Sequence, residues 1–388
     1  MSEPERTPDG RYVVIDGRRW RATDPAIPEE RRAELTRILM AWRREVGRTK
    51  GTDEEAASRA GVQAAKVALG ERGTPWWEQS DAEREERWSA GVPVPGAGGG
   101  YSGQDEQVPR VSRVSVLQVG RVRVRPDNVA GTWRPMLWWT AFSRSWTPWL
   151  PVNVVVVEHD EGVLLVDTGQ SPASLVPGYH PGGVLGWAYR RQAEFDVDAA
   201  DHLPARLAGI GLSLSDVDTV VLTHLHQDHA GNIGLLPHAR VLVSSDELAL
   251  LEEKQPAAHG VMPEHVAPPS VTFTPVVPAP LPAPHGPFTT GTDLYDDGTL
   301  VLLPTPGHSR GSQSLLVRRP DADPLLVVGD LTYDPALLAD ERVPGTGATA
   351  QQRASTRAVN GLVAAEPGLR VVAAHDPGAA ALVAGAGS

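Results

Sequence analysis

Residues 223 to 232 read THLHQDHAGN, and this stretch constrains the chain more than any other. Three histidines and an aspartate, His224, His226, Asp228 and His229, fall within six positions. The preceding DTVVL is short and apolar, so the segment reads as a buried strand opening into a polar loop. On an extended chain, residues two apart point the same way, which sets His224 beside His226. A turn at Gln227-Asp228 lets His229 converge from another side, and Gly231-Asn232 permits a tight turn into the next element. Three imidazoles with one open position are a common ligand set for catalytic zinc. The plain alternative is a polar loop after a strand, but loop histidine rarely recurs at this density.

Three later stretches repeat one pattern. PTPGHSRG (304–311) puts His308 on a loop after a strand, LVVGD (326–330) ends an apolar strand on Asp330, and VVAAHD (371–376) ends another on His375. Any one of them reads equally well as a strand-end turn residue. Together, metal-binding types at the ends of adjacent strands converge on one edge of a sheet. All twelve histidines lie after residue 158. The other seven, His159, His180, His202, His238, His259, His265 and His285, read as surface or satisfied core residues.

The rest of the chain frames this region. RYVVIDGRRWRA (11–22) has two short runs around Asp16-Gly17, a hairpin signal. Pro28, Glu29 and Glu30 open a helix whose apolar face is Leu35, Ile38, Leu39 and Trp42. A second helix is expected from about Asp53 to Leu69, stopped by Gly70, with Trp76 and Trp77 closing the unit. Residues 1–90 thus form a small α+β module, a hairpin plus two helices. Residues 91–107 are rich in Pro, Gly and Ser and read as a linker. The remainder, 108–388, is strand-rich with interspersed helices, an α/β domain. Residues 197–210 look helical, and ARVLVSSDELALLEE reads as a strand followed by a helix capped by Ser244 or Ser245. Residues 255–290 are proline-dense with weak periodicity.

Composition narrows the chemistry. The chain has no cysteine, which excludes disulfides, Cys-ligated metal and Cys nucleophiles. A formal net charge of −12 argues against a nucleic-acid partner or a polybasic membrane contact. MSEPERTPDG has no basic-then-apolar leader, so a cytoplasmic protein is the expectation.

In the order THLHQDHAGN, PGH, GD and AHD, with VDTG (166–169) upstream, the chain resembles the metallo-β-lactamase superfamily over about 110–388. The resemblance implies an αββα sandwich and a centre of two divalent metal ions, with zinc as the expected ion. It implies that His224, His226 and His229 hold one metal, completed by His308. Asp330 bridges, and Asp228 with His375 holds the second. Asp167 is then a structural residue under the site.

Two metals sharing a hydroxide hydrolyse: they generate a nucleophile near neutral pH and polarise a carbonyl. Tyr333 stands three residues after Asp330, in GDLTYD (329–334). A tyrosine at this offset donates to the substrate carbonyl in the N-acyl homoserine lactone lactonases, and the AHDP ending (374–377) resembles them too. The same resemblance makes Asp228 the proton shuttle to the leaving alkoxide. The implied activity is ring opening of N-acyl homoserine lactones or related lactones, and quorum quenching with it. Another esterase, a glyoxalase-II-like thioesterase or a phosphoesterase is the alternative. Gln227 departs from the aromatic residue usual in those lactonases, and residues 1–90 are not part of their pattern. TWRPMLWWTAFSRSWTPWL (132–150) carries five tryptophans, which suit an acyl-chain pocket or equally a core or dimer interface. The partner expected is a small acyl lactone or ester. A homodimer, and a protein partner for residues 1–90, are left open.

Overall fold

The computed structural model describes residues 5–7, 9–15, 18–49, 55–94, 111–319 and 322–384. The chain divides into two units, Met1–Gln107 and Val108–Ser388.

In the first unit, Tyr12–Ile15 pairs antiparallel with Arg18–Arg21, and a further strand, Glu5–Arg6, extends the hairpin. The turn residues Asp16 and Gly17 lie outside the described residues, as do the expected start of the second helix at Asp53 and most of the linker. The helices Glu29–Arg48 and Glu55–Ala68 pack through Leu35, Leu39, Ala65 and Ala68. Gly70 ends the second helix at φ +79°, its N–H bonded to Val67 O and that of Glu71 to Lys66 O. This is the double closure that a left-handed residue after a helix allows. The unit does not stop at Trp77: a third helix, Asp81–Ser89, follows. Its signal was local. Ser80 and Glu83 form a reciprocal capping box. Arg84 and Arg87 of this helix both pair with the buried carboxylate of Asp24.

The second unit is built on two sheets. The first has seven strands in the order Phe273–Val276, Arg240–Ser244, Val217–Val221, Gly162–Val166, Leu150–His159, Val111–Val124 and Ala193–Asp196. The second has six: Ala279–His285, Phe288–Asp293, Leu300–Pro304, Gln313–Arg319, Ala322–Val327 and Arg370–Val372. Alternation along each strand assigns the layers. Val155, Val157, Leu164 and Val166 meet Leu302, Leu315, Val317 and Val327 between the sheets. Their neighbours Val154, Val156, Val163 and Leu165 face Leu203, Leu207 and Ile233 on the outer side. On the far side Val301, Leu303, Leu316 and Leu326 pack on Val359 and Leu362 of the helix Thr349–Ala365. The result is the αββα sandwich, and it explains why the strands read as continuous apolar runs: both faces are buried. Each fully buried Val or Leu contributes roughly 1.5–3 kcal/mol.

Several local expectations change. Residues 197–210 hold two short pieces, Ala199–Asp201 and Leu203–Ala208, rather than one helix. The proline-dense 255–290 stretch supplies strands at an edge of each sheet, Phe273–Val276 and Ala279–His285. Pro280, Pro282 and Pro284 are tolerated there because an edge strand leaves N–H positions unpaired. The tryptophans of 132–150 divide. Trp139 is buried, and Trp146 and Trp149 lie under the guanidinium groups of Arg125 and Arg123. Trp133 and Trp138 are exposed. Among the described residues, no helix is long and apolar enough to cross a membrane.

Strand direction sets the site. Gly162–Val166 and Val217–Val221 run parallel, as do Ala322–Val327 and Arg370–Val372. Leu300–Pro304 is two antiparallel steps from Ala322–Val327 and so points the same way. Carboxyl ends of strands therefore gather at one edge, where ligands bind in open α/β sheets. The two sheets are tied there: Gln313 Nε2 donates to Leu222 O at 2.9 Å, and Asn153 N to Ala374 O at 2.8 Å.

Candidate metal centre

His224 and His226 lie in the loop after Val217–Val221, and His226 caps the short helix Gln227–Ala230 that carries Asp228 and His229. The chain turns helical at Gln227, and His229 stands beside His224, ring centroids 4.0 Å apart, and also reaches Asp228 and His375. The side chains gather as His224, His226 and His308, as His224, His229 and Asp330, and as Asp228, His229 and His375, with ligand atoms within 4.8 Å in each group. The expected residues all come together: His308 lies beside His224 and His226, and His229 lies between His224 on one side and Asp228 and His375 on the other.

Asp330 spans the first and third of these groups. Its Oδ2 is 3.4 Å from His308 Nε2, while its Oδ1 is 3.2 Å from His229 Nε2 and 3.3 Å from His375 Nε2. Asp228 Oδ2 lies 3.5 Å from His375 Nε2. On the other side, His226 Nδ1 is 3.1 Å from His308 Nε2.

Three of the outer ring nitrogens are held, which fixes which nitrogen of those rings faces inward. His229 Nδ1 donates to Asp167 Oδ2 at 2.7 Å, His375 Nδ1 to Pro151 O at 2.9 Å, and His226 Nε2 to His259 O at 3.1 Å. Asp167 also accepts from Thr223 N at 2.7 Å. It does so from φ +63°, a strained position for a residue with a side chain. Gly260 is required behind His226, since a Cβ there would lie 2.1 Å from Nε2.

Sequence reasoning missed Glu247. It read as one more acid in the first turn of a helix capped by Ser244, a cap the structure contains. Its fully buried carboxylate accepts from Leu225 N at 2.9 Å, Ser309 Oγ at 2.7 Å and Gly311 N at 3.0 Å. It therefore clasps the His224–His226 loop to the His308 loop. No spacing in the sequence signals a contact across 62 residues.

The electrostatics demand positive charge. Burial pushes His224 well down and His308 down to about 3, so both are neutral, lone-pair donors. Burial also opposes charge on His229 and His375, but the carboxylates outweigh it, Asp330 foremost, and raise both. Asp330 is held well down against burial by His375 and His229. Inward atoms His224 Nε2, His229 Nε2, His375 Nε2 and Asp330 Oδ1 are buried and make no hydrogen bond. Buried polar atoms are rarely left so. Divalent cations taking these lone pairs satisfy all four, and an imidazole and carboxylate set suits zinc and several other metals. The residues present thus fit a two-ion centre.

Tyr333 borders it. The ring packs with Val122, Val124 and Val152 and stacks on His375, centroids 4.8 Å apart. Burial first, then the charges of Asp330 and Asp228, push the phenol well up, so it stays a protonated donor.

The metallo-beta-lactamase superfamily model matches residues 147–375. The chain belongs to the metallo-beta-lactamase superfamily. Two relatives are lactonases: N-acyl homoserine lactonase AttM of Rhizobium johnstonii is 30% identical over 239 residues, spanning 59% of this chain and 83% of that protein. N-acyl homoserine lactonase AttM of Rhizobium radiobacter is 31% identical over 239 residues, with the same spans. Among solved structures, an N-acyl homoserine lactone hydrolase with N-hexanoyl-L-homoserine bound at its catalytic metal center matches with a TM-score of 0.53. It is 23% identical, over 67% of this chain and 92% of that one, a likeness of fold. In this member of the superfamily the matched stretch holds every residue of the three groups, and residues 1–146 precede it.

Proposed function

We propose that this chain is a metal-dependent lactonase that opens N-acyl homoserine lactones, and that quorum quenching is its biological role. The observation that carries the reading is Asp330, with one carboxylate oxygen toward each group of side chains. The lactonases it matches over 83% of their length support the substrate class.

His224, His226 and His308 would hold one divalent ion, and Asp228, His229 and His375 the other, with Asp330 between them. When bound, such ions supply a water activated near neutral pH and polarise an ester carbonyl. The protein does the rest. Asp167, the Pro151 carbonyl and the His259 carbonyl keep the lone pairs of His229, His375 and His226 aimed inward. Tyr333 donates a hydrogen bond to the carbonyl oxygen as negative charge builds on it. Asp228, the more accessible of the two site carboxylates, carries a proton to the leaving alkoxide. Ring opening needs no more: the ester C–O bond breaks, one water is added, and a carboxylate and an alcohol result.

The test is a hydrolysis panel with metal-loaded protein: N-hexanoyl homoserine lactone, a plain γ-lactone, S-lactoylglutathione and a phosphodiester. Both lactones should open, the acyl homoserine lactone faster. Turnover confined to the thioester or phosphodiester would move the chain to the alternative hydrolase class.

A further inference from the structure

Beside the metal-ligating cluster, one buried side chain ends in a polar atom that has no partner. Tyr179 is 7% exposed, and its hydroxyl makes no hydrogen bond. The ring is fixed all the same. It stacks on His265 with centroids 3.7 Å apart and planes 8° apart, and His265 Nε2 lies 2.9 Å from Tyr179 O. His265 belongs to the short helix Pro263–Val266, which packs on Gln227–Ala230, the helix that carries Asp228. The same segment is tied down again ten residues on, where Tyr189 Oη donates to Ala257 O at 2.6 Å. Ala257 precedes His259, the residue whose carbonyl holds His226. Burial, then the charge of Asp228, push the Tyr179 phenol up, so the group is a donor at neutral pH.

A rigid, dehydrated donor with nothing to donate to is costly unless a ligand supplies the acceptor. Among the described residues none supplies it: Asp228 lies within range of its charge but outside hydrogen-bond distance.

We propose that the Tyr179 hydroxyl is a substrate contact that donates to the amide carbonyl oxygen of the acyl chain, and so selects acyl homoserine lactones over plain lactones. This rests on the lactonase reading. The lactone carbonyl has Tyr333 as its donor, and the ring oxygen has Asp228. The amide carbonyl, attached through its nitrogen to the ring carbon next to the ester carbonyl, is the next acceptor out from the ring. A site built to hydrogen-bond one substrate oxygen discriminates against an analogue that lacks it, because its own donor is then stranded.

The experiment compares the metal-loaded full chain with Tyr179→Phe, which keeps the ring and its stack on His265. Both are assayed on N-hexanoyl homoserine lactone and on γ-decalactone, which has the ring and an alkyl chain but no amide. Binding of the product N-hexanoyl homoserine is measured by calorimetry. The variant should lose about tenfold in kcat/KM on the amide-bearing lactone and about tenfold in product affinity. Its γ-decalactone turnover and metal content should be those of the unaltered protein. Equal losses on both lactones, or no loss on either, would overturn the proposal. Inactivity of the unaltered protein on both lactones would instead sink the lactonase reading, and this inference with it.

Discussion

Asp330→Ala is expected to lose lactone hydrolysis and bound metal together. Asp330 is buried and its two oxygens face different groups of imidazoles. Removing it strips both groups of a shared anion. It also removes the leading charge that raises His229 and His375 in the absence of metal. Loss of an outer partner of a metal ligand typically costs about 10–100-fold in affinity or activity, and a ligand shared by two ions should cost more. Activity should therefore fall by more than about 100-fold, with metal per chain falling in parallel. Far-UV circular dichroism should stay unchanged, because Asp330 sits at a strand end and the sheets are held by the apolar layer between them. Full metal content in a dead variant would mean that Asp330 acts on the chemistry without bridging.

Tyr333→Phe should leave metal content intact and lower kcat. The ring is retained, so its packing on Val122, Val124 and Val152 and its stack on His375 survive. Only the donor is lost. Removing one oxyanion donor costs about 10²–10³-fold where protein groups carry the whole load. Here metal ions would share it, so a loss of about tenfold to a hundredfold in kcat is expected, with KM little changed. Unaltered turnover on lactones would remove Tyr333 from the reaction and favour another esterase chemistry in the same fold.

Much of this site was legible before any coordinates. The histidine spacing in THLHQDHAGN and the strand-end positions of His308, Asp330 and His375 are local patterns, and parallel strands carry such patterns to one edge. The strand-rich α/β character was legible for a related reason, since strands buried on both faces read as unbroken Val and Leu runs; the four-layer sandwich itself was implied by the family resemblance. What stayed hidden depends on contacts between distant segments. The turn at Gln227-Asp228 was readable, but that it brings His229 toward His375 as well as beside His224 depends on the distant strand Arg370–Val372. Glu247 and Tyr179 look like an ordinary helix acid and an ordinary loop aromatic until the loops they meet are in place. The strands at 273–293 were masked by proline, which suits an edge but lowers every strand signal. The third helix of the first unit is different, since the Ser80–Glu83 capping box was there to be read.

The central claim is a two-ion centre, and counting the ions tests it most directly. The full chain would be stripped with chelator, saturated with zinc, desalted and submitted to elemental analysis beside Asp330→Ala. The account predicts two ions per chain, bound to the unaltered protein and lost together from the variant. A single ion per chain at saturation, or two ions retained without Asp330, would contradict it.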